Sequence, residues 1–334
     1  MSTLYKCIAS CFLAALCVAN ASAATLKIAT VVPEGTHWMK EFRAAGQAVE
    51  ESTEGRVKLK FYPGGVMGSD QSVLRKMRIG QLNGGALSSG SLAQHYSGVN
   101  LYSLPFLFRN YDEVRAVRDL IDPVIQQELA KKGLVVLGIS EGGFAYMFSD
   151  RAVQSVEDIK SRKVWVPEGD RISRETFESA GISPVALPIS DVYTGLQTGL
   201  IDTVAINPTG AIALQWHTRV NAMTHEPLLF IMGMMVVDKR AFMRLSTADQ
   251  GVVKEAVSAA FGRLDQANRN NDEQALKALE ANGIEIAPMS EANRAEWQKL
   301  ADATLQRLEG EGVFPKALLS KVRERLAQLR GDAE

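Results

Sequence analysis

From residue 26 onward, short apolar runs rich in β-branched residues alternate with stretches of helical periodicity. Strand, helix, strand in steady succession admits few architectures, and it calls for α/β layering around mostly parallel sheets. Residues 26–32 (LKIATVV) open the pattern and stop at Pro33 and Gly35. A helix follows over 36–53, with Trp38, Phe42, Ala45 and Val49 on one face. Residues 56–62 (RVKLKFY) alternate apolar and basic side chains, as a half-exposed strand does, and Pro63, Gly64 and Gly65 end it. The spacing then predicts a helix over 69–80 and a short strand end over 84–91. An amphipathic helix over 112–132 is expected to break at Pro123, and a buried strand follows over 133–138.

The second half repeats this style. Residues 163–167 (KVWVP), 185–187 and 203–206 read as strands. Residues 172–180 and 190–198 read as helices, the latter begun by a Ser190–Asp191 cap. Over 246–281 the strand signal gives way to a long Ala-, Glu- and Asn-rich helical pattern, which Asn282 and Gly283 stop. After a brief apolar stretch, 284–287, helical patterning resumes and lasts to the end. The length, 334 residues, suggests two domains. Without a fixed-period repeat or a low-complexity linker, these must be joined by several crossings of the chain, not by one tether.

All three cysteines, Cys7, Cys11 and Cys17, lie in the opening segment. Lys6 precedes an apolar run from 7 to 19, short of the ~20 residues a transmembrane helix needs. Ala21, Ser22 and Ala23 then form the small-x-small pattern of a signal-peptidase site. Residues 1–23 are therefore expected to be a cleaved signal peptide, not a retained anchor. A lipoprotein variant is disfavoured because Leu16, not a small residue, precedes Cys17. Residues 24–334 hold no thiol, which suits an exported protein and leaves neither a thiolate nucleophile nor a thiolate metal site. The 37 basic and 38 acidic side chains nearly cancel, which argues against nucleic acid as the main partner.

No reaction is announced. Gly138, Ser140 and Gly142 (GISEG) match the nucleophile elbow of serine hydrolases and follow a predicted strand. The next residues, 143–148 (GFAYMF), read as more strand where the elbow needs a helix, so a Gly-rich crossover between domains is the plainer reading. His37, His95, His217 and His225 show no helical metal-pair spacing, and there is no phosphate-binding glycine loop. Neither metal nor cofactor is expected. Several strand ends carry small or polar residues: Pro33 and Glu34, Ser88 and Ser89, Ser140 and Glu141, Glu168, and Asn207. In doubly wound folds ligands bind outside such ends, and two domains would place them on both sides of one cleft that closes by a hinge.

Several stretches in order resemble the substrate-binding subunits of TRAP (tripartite ATP-independent periplasmic) transporters, the DctP-like family. They are LKIAT at 26–30, TEGRVKLKFYP at 53–63, LPFLF at 104–108, DIK at 158–160 leading into KVWVP at 163–167, and DVYTGLQTGLID at 191–202 before Asn207 and Pro208. The resemblance covers nearly the whole chain after the leader. It implies a two-domain periplasmic solute-binding fold with a ligand cleft between the domains and a long helix, 246–281, spanning both. Lobe I would take 24–147 with part of 230–260, and lobe II 148–229 with the C-terminal helices. It further implies a protein that captures a small organic acid and delivers it to membrane permease subunits. The alternatives are an exported serine hydrolase using Ser140 and a sensory binding protein feeding a receptor.

The departures from the family pattern matter most. Where most members carry an arginine that grips the substrate carboxylate, this chain has Trp165, and where many carry a second it has Ala145. A buried carboxylate without a cation costs several kcal/mol. Either Arg171, Arg174 or Arg75 takes over, or the solute is not a plain dicarboxylate. Alternation along the strand puts Trp165 and Pro167 on the cleft face, where an indole offers stacking area, with Glu168 beside it. Asn207 matches the family's cleft asparagine. Ser88, Ser89, Glu141, Tyr193, Trp216 and Arg171 complete the expected ligand-binding set.

Overall fold

The computed structural model describes residues 23–331; the expected signal peptide, 1–23, lies outside the described residues but for Ala23. The chain runs β1 (Ala24–Thr30), α1 (His37–Ser52), β2 (Val57–Tyr62), α2 (Asp70–Arg78), β3 (Gly84–Ser88), α3 (Tyr111–Lys131) and β4 (Leu134–Ser149). Shorter pieces follow: α4 (Val156–Lys160), β5 (Trp165–Pro167), α5 (Arg171–Ser179), β6 (Val185–Leu187), α6 (Val192–Thr198), β7 (Thr203–Ile206), α7 (Pro208–Ala213) and β8 (Ala222–Thr224). The last elements are β9 (Leu229–Asp238), α8 (Lys239–Phe242), α9 (Thr247–Ala281), β10 (Glu285–Ala287), α10 (Glu291–Gly310) and α11 (Lys316–Arg330).

An eight-stranded sheet has the order β10-β8-β4-β9-β3-β1-β2, with β7 also on β4, and β5 and β6 form a second, two-stranded sheet. Pairing is mixed and not mostly parallel as the local pattern suggests. The βα units do give parallel neighbours: β1 with β2 and β3, β8 with β10, and β5 with β6. But β9 runs antiparallel between β3 and β4, from Leu134 opposite Asp238 to Ala145 opposite Leu229. That ladder joins segments far apart in sequence, so no local periodicity announces it.

β4 is one continuous strand of 16 residues, and it absorbs the Gly-rich stretch. Its register slips between Val136 and Gly138 and again between Glu141 and Gly143. At the second bulge Gly143 adopts φ +100°, and a Cβ there would collide with the Asp272 carboxylate of α9. Beyond it the strand exchanges β9 for β7 and β8 as neighbours. The elbow geometry is absent: Ser140 is wholly buried in the strand and its Oγ donates to Asp265 Oδ1 at 2.6 Å, not to a histidine.

Four apolar clusters surround this sheet. Phe42 of α1, Phe61 of β2 and Phe261 of α9 stack at centroid distances of 5.8 and 5.7 Å, beside Leu264. Val117 and Ile121 of α3 pack with Met232 of β9 and Leu319 and Val322 of α11. At the other end Trp165, Trp216, Val204 and Leu279 form a third cluster, and Val166, Phe177 and Trp297 a fourth. α9, capped by Ser246 on the Asp249 amide, thus serves one end through Phe261 and Leu264 and the other through Leu279. Of the C-terminal helices, α10 brings Trp297 to the fourth cluster and Leu308 to the cluster of α3, where α11 also packs.

Two local expectations are revised. α3 does not break at Pro123: the helix runs on to Lys131 with Pro123 on its exposed face, where a lost backbone bond is tolerated best. α6 is preceded by a short 3₁₀ turn and Asp191 makes no capping bond; Ser190 donates to the Asp191 carboxylate instead.

Candidate functional site

Strand ends from both halves converge on one cavity of about 170 Å³. Val31 follows β1, Ser88 ends β3, Pro167 ends β5 and Ile206 ends β7; Ile231 and Met232 of β9 form its floor. For scale, a cavity of about 150 Å³ accepts benzene. One wall is apolar, with Trp165, Phe177, Leu228 and Ile189. Another is hydroxyl-rich, with Ser69, Ser88, Ser89, Ser91 and Ser103. Three carboxylates border it, Asp70, Glu168 and Asp170, and among the described residues no lysine, arginine or histidine does.

Each wall is held by its own bonds. Trp165 is 4% exposed, its Nε1 donates to the Leu187 carbonyl at 2.9 Å, and its ring meets Trp216 edge-on at 5.3 Å. The indole is thus both core and cavity wall. Asp70 stands at the first position of α2, where Oδ2 accepts from the Ser88 amide at 2.9 Å and from its hydroxyl at 2.8 Å. Oδ1 of the same carboxylate is buried and has no partner. Asp170 caps α5, accepting from the Ser173 amide and hydroxyl at 3.1 and 2.7 Å. Burial pushes the pKa of both acids up, against the pull of those serine bonds.

Of the residues singled out from sequence, Ser88, Ser89, Trp165 and Glu168 line the cavity. The other five lie elsewhere. Trp216 is buried behind Trp165. Tyr193 is half-buried against the third cluster, and its hydroxyl accepts from Arg219 at 3.0 Å. Arg171 is exposed and pairs with Glu175 and Glu311; Arg174 is exposed, and Arg75 donates to Ser72. Asn207 donates to Asp272, which also accepts from Thr209 and Tyr111, at the crossing of β4 and α9. Glu141 is buried in an ion network: it accepts from Arg118 at 3.0 Å and from Arg269 at 2.7 and 2.8 Å. Ala145 is buried in β4. Asp70, Asp170, Ser91 and Phe177 also line the cavity and were not singled out from sequence. The two acids read first as residues of helix N-termini.

The sequence model of the family described as bacterial extracellular solute-binding protein, family 7 (DctP), matches residues 28–311. The chain belongs to that family. Among family 7 relatives, the sialic acid-binding periplasmic protein SiaP of Vibrio cholerae is 25% identical over 79% of this chain and 83% of its own. The C4-dicarboxylate-binding periplasmic protein DctP of Shewanella loihica is 24% identical over 81% of each chain. A TRAP periplasmic solute-binding protein of Sulfurospirillum deleyianum, solved with bound succinate, superposes with a TM-score of 0.83 at 21% identity, over 90% of this chain and 99% of that one. That likeness is one of fold. The family 7 fold is thus the solute-binding architecture expected from the sequence. Among the described residues no helix is long and apolar enough to cross a membrane.

Proposed function

We propose that this chain is the extracytoplasmic receptor of a TRAP-type transporter. It captures a small organic solute between its lobes by hinge closure and hands it to membrane permease subunits. The lobes we assign are 24–147 with part of 230–260 and α11, against 148–229 with α10, and α9 spans them. The observation that carries the reading is the cavity at converging strand ends, walled by Trp165 and Phe177, hydroxyls and carboxylates. The relatives' names point to acids, but among the described residues no cation lines the cavity to hold a dicarboxylate, and a buried carboxylate without one is costly. The solute we assign is therefore not a plain dicarboxylate.

A solute that binds only the folded state raises its melting temperature. Thermal unfolding of the purified protein against fractionated metabolite extracts and an organic-acid panel should give a shift with at least one fraction. No shift with any would overturn the receptor reading. Tight succinate or malate binding that survives Trp165→Ala would reject the assigned solute class. Stoichiometric fluorophosphonate labelling of Ser140 would restore the hydrolase, but its burial and its bond to Asp265 oppose that.

A further inference from the structure

Several polar groups in the cavity wall are spent inside the chain. Asp170 uses both oxygens on Ser173, Ser88 donates to Asp70, and Ser91 donates to the Ser88 carbonyl. Asn100 and Ser89 are different. They are 5% and 2% exposed, and among the described residues neither side chain makes a hydrogen bond. Neither is sealed as the Asp70 Oδ1 is, and both line the cavity, so the open part of each faces it. A buried amide without a partner in the chain is costly, and what relieves it is a bond from outside the chain.

The local fold holds these groups in place. Asn100 lies in a 3₁₀ segment, Ser97–Ser103, among Val99, Leu101 and Tyr102, which are wholly buried in the core. Residues three apart eclipse in such a segment, which sets Ser103 on the face of Asn100, and Ser103 also lines the cavity with its hydroxyl uncommitted. Ser89 opens a second 3₁₀ turn, Ser89–Leu92, directly after β3. Together they offer about four donors, two from the amide and one from each serine. An ionised carboxylate has about four acceptor sites, so this wall can serve one such group and not two. Hydrogen bonds to the charged form keep a carboxylate ionised even without a cation. Of the three acids nearby, Glu168 is exposed to water, and burial shifts Asp70 and Asp170 toward the uncharged form, which weakens their opposition to an anion.

Resting on the receptor reading above, we propose that Asn100, Ser89 and Ser103 determine specificity: they hold the one carboxylate of a monocarboxylic acid through neutral donors, while its compact apolar skeleton lies against Trp165 and Phe177. A cavity near the benzene scale sets the size of that skeleton.

Benzoate, cyclohexanecarboxylate and 3-methylbutanoate each carry one carboxylate on such a skeleton. Benzyl alcohol, cyclohexylmethanol and 3-methylbutanol keep the skeletons and lose the charge. Calorimetric titration of the purified protein should find at least one acid bound about tenfold or more tightly than its alcohol and than succinate. Asn100→Leu, close in shape but without donors, should cost that acid about tenfold in affinity. The melting temperature of the solute-free variant should stay level or rise, because an amide without a partner has left the core. Ser89→Ala should weaken binding about fivefold and serves if the first variant misfolds. The inference is overturned if succinate binds as well as the acids, if each alcohol matches its acid, if none of the acids gives heat, or if both variants bind as the parent does. A metabolite fraction that raises the melting temperature equally in the parent and both variants would leave the receptor standing and remove only this anchor.

Discussion

Glu141, at the bulge of β4, has both carboxylate oxygens taken by guanidinium groups, whereas Asp70, in the cavity wall, has one oxygen on Ser88 and one without a partner. Around Glu141 the chain completes its own chemistry. Arg118 also reaches Asp265 at 2.5 Å, Asp122 at 3.1 Å and the Ile139 carbonyl, and Asn268 of α9 donates to the Glu141 carbonyl. Trp38 of α1 in turn donates to Asn268. The network ties α3, β4 and α9 together where β4 passes from one half to the other. Around Asp70 the same kind of group is left incomplete. A buried carboxylate is thus a structural element where its partners are supplied from within.

The largest effect should come from Arg118→Met. Removing one partner of a buried ion cluster takes the guanidinium from Asp265 and Asp122 and leaves Glu141 with Arg269 alone, and costs about 3–5 kcal/mol, read from urea unfolding. A loss below about 1 kcal/mol would mean that the network is ornamental and the contrast empty. Next is Glu141→Gln, which keeps the shape but weakens the bonds from both guanidinium groups; we expect about 2 kcal/mol. Trp165→Phe keeps most of the packing and loses the bond to the Leu187 carbonyl, for about 1 kcal/mol. It sharpens the comparison from the cavity side, because solute affinity should fall through lost stacking area even where stability falls little.

The fold was legible because it rests on local signals. The Thr36 cap with Phe42, Ala45 and Val49 on one face, and the uninterrupted pattern over 246–281 with Asn282 and Gly283 behind it, state their elements outright. The antiparallel β4–β9 ladder was not legible, since its registration links residues about a hundred apart. Pro123 misled because only tertiary exposure decides whether a lost backbone bond is tolerated. In the site, Trp165, Glu168, Ser88 and Ser89 could be placed because strand ends mark clefts. Glu141 stands at the bulge inside a strand that runs on for eight more residues, and its neighbours Arg118 and Arg269 come from remote helices. Asp70 and Asp170 were hidden by having an adequate local reason to be where they are.

The smallest effect has the opposite sign, and it tests the comparison most directly. Burial raises the pKa of Asp70 above the ordinary 3.8, so over the interval just above that value the folded chain holds a proton that the unfolded chain has released. Stability attributable to this group therefore falls as pH rises through that interval, and the deficit persists at neutral pH. Asn does not titrate. The stability of Asp70→Asn minus that of the parent should rise from acid toward neutral pH and level off at about 1 kcal/mol or less in favour of the variant. Taking the difference at each pH removes groups that behave oppositely, such as Glu113, whose burial is outweighed by bonds from Arg330 and the Arg109 amide and whose contribution is lost as pH falls. Glu141→Gln under identical conditions should lose stability. If both carboxylate-to-amide changes move stability the same way at neutral pH, Asp70 is as well partnered as Glu141.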